Sequence, residues 1–522
     1  MIVLPLLALV ISAISGSRVA AALAGLPAVS IWVRTSRLTR TDPALPAFAP
    51  QAPARQASDP TSRLSPGPDA VRRTSLALVR LWLICIGLGL GLLISSASML
   101  ASLALAGGTF ASLLLTDLLL VAVVTGGLRR SVRRPRARLP ASLTGRRSHV
   151  LFSAPALTAV TLACATAVAI VNTAPHGWFD AWYIWNLRAR FFYFASTDWT
   201  RAFADTAAII HRDYPLLLPL NVARLWLYLG DASTLVPRTF ALLMTLMTLG
   251  LLYASLAILR GHSHACLAVI ILVSVDSFIY TGASQTADVP LSFFILAALS
   301  TLAFAGSYAN HDKGVLMLVG ALAGAAAWTK NEGLLFAVLL TIATAAVRVG
   351  PGRPPAWRVA VHVSTGFIPV LLGLLAFKLV SPRTSILAPQ ATDVLLMKLS
   401  DPQRHMTILR SLGESMNVDG WLMALLACLA LSRGVRPHRE HRPVIAIGVV
   451  VLLALLCGYY LVYLFTPHDL SMHIATSVGR LWMHLWPGVL FLLFLALGDI
   501  DGVQGVSGAG WPGQAGDQAE AG

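Results

Sequence analysis

The stretch VLFSAPALTAVTLACATAVAIV, from Val150 to Val171, carries no charge, and shortly after it comes GWFDAWYIWN, from Gly177 to Asn186. A hydrocarbon core about 30 Å thick needs roughly 20 apolar residues of helix, so the first stretch is long enough to cross a bilayer. The second puts a carboxylate at the membrane surface. Aromatic rings favour that boundary because one end tolerates lipid and the other water, so Trp178, Trp182 and Trp185 place Asp180 where a lipid-linked substrate would arrive. Asp180 is accordingly read as the catalytic base, with Trp182 and Trp185 as supporting groups.

The same pattern recurs along the 522 residues, which are 56% hydrophobic and 12% charged, with a mean hydropathy of +0.73. That composition excludes an ordinary soluble protein and predicts an all-α, multi-pass membrane chain. The net charge of +16 lies in short polar stretches between apolar runs with no nucleic-acid-reading motif beside them, so it orients helices and does not predict a nucleic-acid partner. Cys85, Cys164, Cys266, Cys428 and Cys457 lack metal-ligand spacing and read as inert core residues.

Three regions follow. Residues 1–149 hold N-terminal helices: an apolar segment from Ile2 to Val33, a Pro/Ala/Ser/Arg-rich linker over about residues 34–75, and apolar runs near Leu76–Leu100 and Ser102–Val124. The first segment lacks a basic start and is long for a signal sequence, so an anchoring helix is preferred and cleavage is the alternative. Residues 150–499 form the main membrane domain, with further runs near Val236–Leu259, Ala265–Ile279, Val289–Phe304, Val315–Ala327, Leu334–Val347, Val359–Leu379, Leu422–Leu431, Val444–Leu464 and Leu481–Leu497. Residues 500–522 read as a disordered tail. The total is about 11–13 spanning helices.

The basic loop Arg129–Arg147 should be cytoplasmic, which sends the helix ending at Val171 outward and puts Asp180 on the external face, the periplasm of a bacterial inner membrane. Tyr214–Leu229, broken by Pro215, Pro219, Asn221 and Arg224, is taken to lie along the interface without spanning. Arg260, Lys313, Arg348–Arg358 and Arg433–Arg442 then fall inside.

On this topology the polar clusters that orientation leaves unexplained collect on the outer face. They are Asp180; His211, Asp213 and Tyr214; Gln285 and Asp288; Lys330 and Glu332; and His468 and Asp469. Each is at a helix end, where capping or a solvated turn is the plain alternative, and Asp288-Val289-Pro290 suits a helix start. Lys330 and Glu332 join two apolar runs, where a charge is costly unless paired or used, so Lys330 is a candidate phosphate ligand and Glu332 its support. Arg188, Arg190, Arg224 and Arg238 add cations that hold an anionic head group or else snorkel to lipid phosphates, with Arg238 best placed at the start of an outward-end helix. His176, His211, His468 and His473 have no metallohydrolase spacing, so no metal ligands are assigned; a divalent metal is kept as an alternative. No Gly-rich phosphate loop or Walker pattern predicts a nucleotide-activated donor.

Over roughly Val150 to Pro487, through Asp180, His211–Pro215, Pro237-Arg238, Gln285–Pro290 and Trp328–Gly333, the chain resembles the polytopic glycosyltransferases of the GT-C fold. The resemblance is to the family 39, protein-mannosyltransferase-like group, which includes lipid A aminoarabinose transferases and Rgt-type lipopolysaccharide transferases. It implies an inverting transfer of a sugar from a polyprenyl-phosphate carrier to a lipid, glycan or protein acceptor outside the membrane. Asp180 matches the acidic base of the first outer loop, and Lys330, Arg238 and Arg480 are the candidates that steady the departing phosphate. Asp180-Ala181 stands where many relatives have two adjacent carboxylates.

Two rival readings come from other chemistry. A lipid-linked saccharide flippase would need midplane charges and repeated halves, and only Asp276 and Lys378 look intramembrane. An O-antigen polymerase or ligase would centre on a large outer loop, for which Ser381–Gly420 is the candidate.

Overall fold

The computed structural model describes residues 68–131, 152–194, 196–204, 211–307, 312–347, 354–382, 389–416 and 420–500. The N-terminal apolar segment, most of the linker, part of the basic loop and all but the first residue of the expected tail lie outside them. The chain is an all-α polytopic membrane protein. Seven described helices are long and apolar enough to cross a membrane: Leu76–Ala106, Ser153–Thr173, Leu235–Leu259, Asp288–Ser307, Ala356–Leu379, Arg442–Phe465 and Leu470–Ala496. An eighth span results if a pair bent by 75° is counted as one, and five shorter apolar helices pack among them.

In chain order the helices are α1 (Pro68–Ala106), α2 (Phe110–Ser131), α3 (Ser153–Thr173), a π-helical turn over Ala181–Asn186, α4 (Leu187–Phe194), a 3-10 segment over Ser196–Phe203, α5 (Leu217–Leu229) and α6 (Leu235–Leu259). They continue with α7 (His262–Val273), α8 (Asp276–Ala283), α9 (Asp288–Ser307), α10 (Lys313–Thr329), α11 (Asn331–Ala346) and α12 (Ala356–Val380). The series ends with α13 (Thr392–Ser400), α14 (Pro402–Glu414), α15 (Gly420–Arg433), α16 (Arg442–Phe465) and α17 (Leu470–Ala496). The centre is α9, from which Val289 to Ala303 is buried almost without interruption, as expected of a helix that is apolar on every side.

Several boundaries differ from the sequence reading. Ser102 belongs to α1, whose end comes at Gly107 and Gly108, both at positive φ, so the second run starts at Phe110. The run near Ala265–Ile279 is two helices, α7 and α8, broken at Ser274-Val275. Tyr214–Leu229 does not lie on a surface: α5 is buried on nearly every side and packs on α1 and α4. Its polar residues explain why it tolerates that position. Asn221 donates to the Leu92 and Leu217 carbonyls, and Arg224 pairs with Asp117 of α2 at 2.6 Å. Arg224 is therefore an internal tie, not a head-group ligand. The Ser381–Gly420 region folds, where described, largely as α13 and α14, which rest on α16 and α17.

Close packing is sharpest between α10 and α12. A Cβ at Gly320 would come within 1.9 Å of the Val363 carbonyl oxygen, and one at Gly366 within 1.9 Å of that of Met317. Gly320 and Gly324 form a GxxxG pair, the device by which membrane helices bring backbones together. This contact carries α10 down to Lys330, where α11 begins after a single extended residue.

Chain direction sorts the bundle into two ends. The C-terminal ends of α3, α8, α10, α12 and α16 meet the N-terminal ends of α6, α9, α11 and α17 around Asp180, Gln285 and Lys330. At the opposite end Arg260 donates to the Leu497 carbonyl and pairs with Asp499 at 3.6 Å, and Val435 bridges to Leu497.

Candidate active site

The site is built from four chain segments that are far apart in sequence. Asp288 opens α9 and is fully buried; Lys330 joins α10 to α11; Arg480 and His484 are one turn apart on α17; Asp180 precedes the π-helical turn. Lys330 Nζ is 2.8 Å from Asp288 Oδ1, 3.2 Å from Glu332 Oε1 and 3.4 Å from His484 Nε2. His484 Nε2 is 2.9 Å from the same Asp288 oxygen, and its Nδ1 is 3.0 Å from the Tyr459 hydroxyl. Thr286 donates to Asp288 Oδ2 at 2.9 Å, and Arg480 Nη1 is 4.0 Å from that oxygen while forming an ion pair with Asp180. Charge therefore runs without a gap from buried Lys330 through Asp288 and Arg480 to Asp180.

Asp288 starts α9 as the sequence reading expected, and its carboxylate has a further role. Its carboxylate is taken by Lys330, His484 and Thr286, which offsets the several-kcal/mol cost of burying a lone charge. Lys330 donates to Asp288 and is ion-paired with Glu332, while His484 Nε2, whose proton goes to Asp288, is a near neighbour of the ammonium and not its acceptor. Burial opposes its charge, but Asp288 and Glu332 outweigh that and raise its pKa. The outward cation is Arg480, whose side chain is 32% exposed against 7% for Lys330; Asp180 is 21% exposed against 2% for Asp288. Of these four groups the two that ligands can reach are thus Arg480 and Asp180, and they hold each other.

A second layer fixes the segment before α5. Arg188, fully buried, donates to the Tyr214 carbonyl at 2.7 Å and the His211 carbonyl at 2.8 Å. Burial lowers its pKa to about 10, which leaves it charged at neutral pH. Asp213 Oδ2 accepts from Asn331 Nδ2 at 2.7 Å and is 3.5 Å from Lys378, whose Nζ also reaches the Asn331 amide oxygen at 2.7 Å. Trp185, Tyr214 and His211 stack in a ladder, with centroids 5.7 and 4.8 Å apart, and the Lys330 ammonium is 5.8 Å from the Tyr214 ring centre. Burial lowers the His211 pKa against the opposing pull of Asp213 and Asp180. Among the described residues only His211 and Gln285 are non-glycines at positive φ, and both belong to this region. Such strain persists where surrounding contacts hold it, and it clusters at functional sites. Gln285 is held by Asn186 Nδ2 at 2.9 Å, and its own amide reaches the carbonyls of Ala174 and Pro175.

Not every expected residue joins this assembly. Arg238 bonds Thr234 and Asn172, away from the Lys330 network. Trp182 is half exposed and lies against His176, 4.9 Å between ring centres. Asp469 caps α17 by accepting from the Met472 amide at 2.8 Å, and His468 packs on His473. Arg188, read as a snorkelling or phosphate-binding cation, is the clamp on the His211 turn. Conversely, His484 and Tyr459 were missed. The available signal was a histidine inside an apolar helix, which is costly unless it has a partner. Among the described residues no three His, Cys, Asp or Glu side chains group as a metal ion would need.

Residues 213–385 match the family model described as dolichyl-phosphate-mannose-protein mannosyltransferase. The match covers a third of the chain and contains Asp213, Tyr214, Gln285, Asp288, Lys330, Glu332 and Lys378, while Asp180, Arg480 and His484 fall outside it. It supports a membrane glycosyltransferase of GT-C type. No curated protein and no solved structure matches the chain.

Proposed function

We propose that the chain transfers a sugar from a polyprenyl-phosphate donor to a hydroxyl-bearing acceptor, on the periplasmic face of a bacterial inner membrane. The observation that carries this reading is the Asp180–Arg480 pair: a reachable carboxylate bonded to a reachable guanidinium, backed by a buried Asp288–Lys330–His484 core. The matched family's description names a mannose carried on a lipid phosphate, which makes polyprenyl-phosphate mannose the first donor to test.

A phosphate competes with Asp180 for Arg480, because a guanidinium binds phosphate through paired charged hydrogen bonds. Donor binding therefore draws Arg480 off Asp180 and frees the carboxylate to act as base. Asp180 then takes the proton from the acceptor hydroxyl while that oxygen attacks the anomeric carbon. The bond from that carbon to the phosphate oxygen breaks, its electrons leave with the polyprenyl phosphate, and Arg480 neutralises the charge that develops. One displacement inverts the anomeric centre. Lys330 anchors Asp288 behind Arg480, so its positive charge acts on the phosphate from the second row.

The acceptor in this reading is an envelope component such as lipopolysaccharide, and glycolipid profiling of a deletion strain by mass spectrometry tests it. Loss of one sugar mass from one envelope glycan is expected. An unchanged glycan profile together with accumulation of a translocated lipid-linked sugar on one face of the membrane would favour a flippase instead.

A further inference from the structure

Three polar side-chain ends at the candidate active site have no hydrogen-bond partner among the described residues, and the transfer step uses none of them. Glu332 gives Oε1 to Lys330 at 3.2 Å, but its Oε2 is buried and unbonded. The Tyr214 hydroxyl and the ring nitrogens of His211 are likewise without a hydrogen bond among the described residues. The three are neighbours: the His211 and Tyr214 rings stack with centroids 4.8 Å apart, and the Lys330 ammonium that pairs with Glu332 lies 5.8 Å from the Tyr214 ring centre. We propose, on the basis of the transfer reading, that Glu332, Tyr214 and His211 grip the sugar of the donor by its hydroxyls, and that this sugar is a neutral hexose.

Each of these groups is fixed everywhere except at its polar end. Arg188 takes the carbonyls of both His211 and Tyr214, and His211 is held at a φ of 49°. The Tyr214 ring stacks on Trp185 as well as on His211, and Lys330 anchors Glu332. Locking a side chain while leaving its polar tip unused is how a binding group is preorganised, and held backbone strain of this kind clusters at ligand clamps. A buried carboxylate oxygen that has lost water and gained no donor needs an explanation, and a sugar hydroxyl supplies one. The phenol and the imidazole can each give or take a hydrogen bond, so the set matches the mixed donors and acceptors of a hexose. Its place is also apt, because Asp180 and Lys330 are both near enough for their charges to act on His211. Glu332 is 19% exposed, close to the 21% of Asp180, so it is about as open as the base itself. A sugar with its own carboxylate would set like charges together at Glu332, which disfavours a uronic acid.

The test measures binding rather than turnover. The full chain in neutral detergent is titrated with bare polyprenyl phosphate and with the same carrier bearing mannose, other neutral hexoses or glucuronate, and the readout is the preference for each glycosyl carrier over the bare one. Wild type is expected to prefer a neutral hexosyl carrier and to show no preference for the glucuronyl one. Glu332→Gln should cut that preference at least about tenfold and Tyr214→Phe about fivefold, because each removes a hydrogen bond that only the glycosyl ligand makes. A ratio of the two affinities cancels any change at the phosphate, and Tyr214→Phe keeps the ring stack should Glu332→Gln disturb the fold. A hexosyl preference that survives both variants would overturn this assignment alone and leave the transfer reading standing. A preference for the glucuronyl carrier would overturn the neutral class, and binding of no carrier at all would overturn both the assignment and the transfer reading.

Discussion

Arg480 is the side chain on which the site turns, because it touches Asp180 and faces Asp288 at 4.0 Å. Removing a charged donor aimed at a departing phosphate costs about 10²–10³ in rate, so Arg480→Ala is expected to lower kcat/KM by that order and to raise the donor KM, read from donor saturation curves. Lysine at this position should restore part of the loss through charge without the paired bonds. Behind it, Lys330→Met leaves Asp288 buried with one partner fewer and is expected to cost about 3–5 kcal/mol of stability. Adding Asp288→Asn should recover part of that, giving a non-additive cycle in thermal unfolding. His211 supplies a pH dependence. Its folded pKa is lowered, so the folded state binds fewer protons than the unfolded one below about pH 6.5. Its contribution is then fully present above that value and is lost as pH falls towards the folded pKa. His211→Asn, which tolerates positive φ, should flatten the fall in melting temperature between about pH 7 and pH 5. At this scale the sequence revealed the charged members of the site, because charges at membrane boundaries demand a reason. It did not reveal their pairing: Asp288 looked like a helix start, and His484 and Tyr459 were hidden in apolar runs that bring them together only across α16 and α17.

At the level of elements, the α10–α12 crossing sets where Lys330 comes to rest. Gly320→Ala and Gly366→Ala would each drive a methyl into a carbonyl of the facing helix, whereas Gly373→Ala, also on α12, meets nothing within 4 Å. The first two are expected to lower the melting temperature and the yield of folded protein. The third should be neutral or gain up to about 1 kcal/mol from helix propensity. Gly333→Ala belongs with the first pair, since its Cβ would meet the Ala326 carbonyl at 1.9 Å and open the α10–α11 turn that carries Lys330. The apolar runs located most of the elements but not all of their ends: α17 starts at Leu470, well before the run that begins at Leu481, because His473, Arg480 and His484 interrupt its apolar pattern. What they could not give was the burial of α5, because Pro215, Pro219, Asn221 and Arg224 read as interfacial until Asp117 and the Leu92 carbonyl are seen to satisfy them.

For the molecule as a whole, the charge asymmetry of the loops carried the most information. It grouped Asp180, Asp213, Gln285, Asp288 and Lys330 at one end and Arg260 with the 433–442 segment at the other, and the helix directions group them the same way. A periplasm-active reporter fused after Asp213 should give signal, and one after Arg436 should not; the reverse result would put the site on the cytoplasmic face. The acceptor was not legible, because its pocket depends on how α13, α14 and the segments between them shape the space, and periodicity does not encode that shape.

The most direct test of the central claim is transfer of radiolabelled mannose from polyprenyl-phosphate mannose, with a panel of other polyprenyl-phosphate sugars alongside, in membranes carrying wild-type protein or Asp180→Asn. The account predicts that wild type transfers one sugar and releases polyprenyl phosphate, and that the variant, folded and present at equal level, loses about 10²–10⁴ of that rate. Undiminished transfer by Asp180→Asn, with the same donor and the same product, would contradict it.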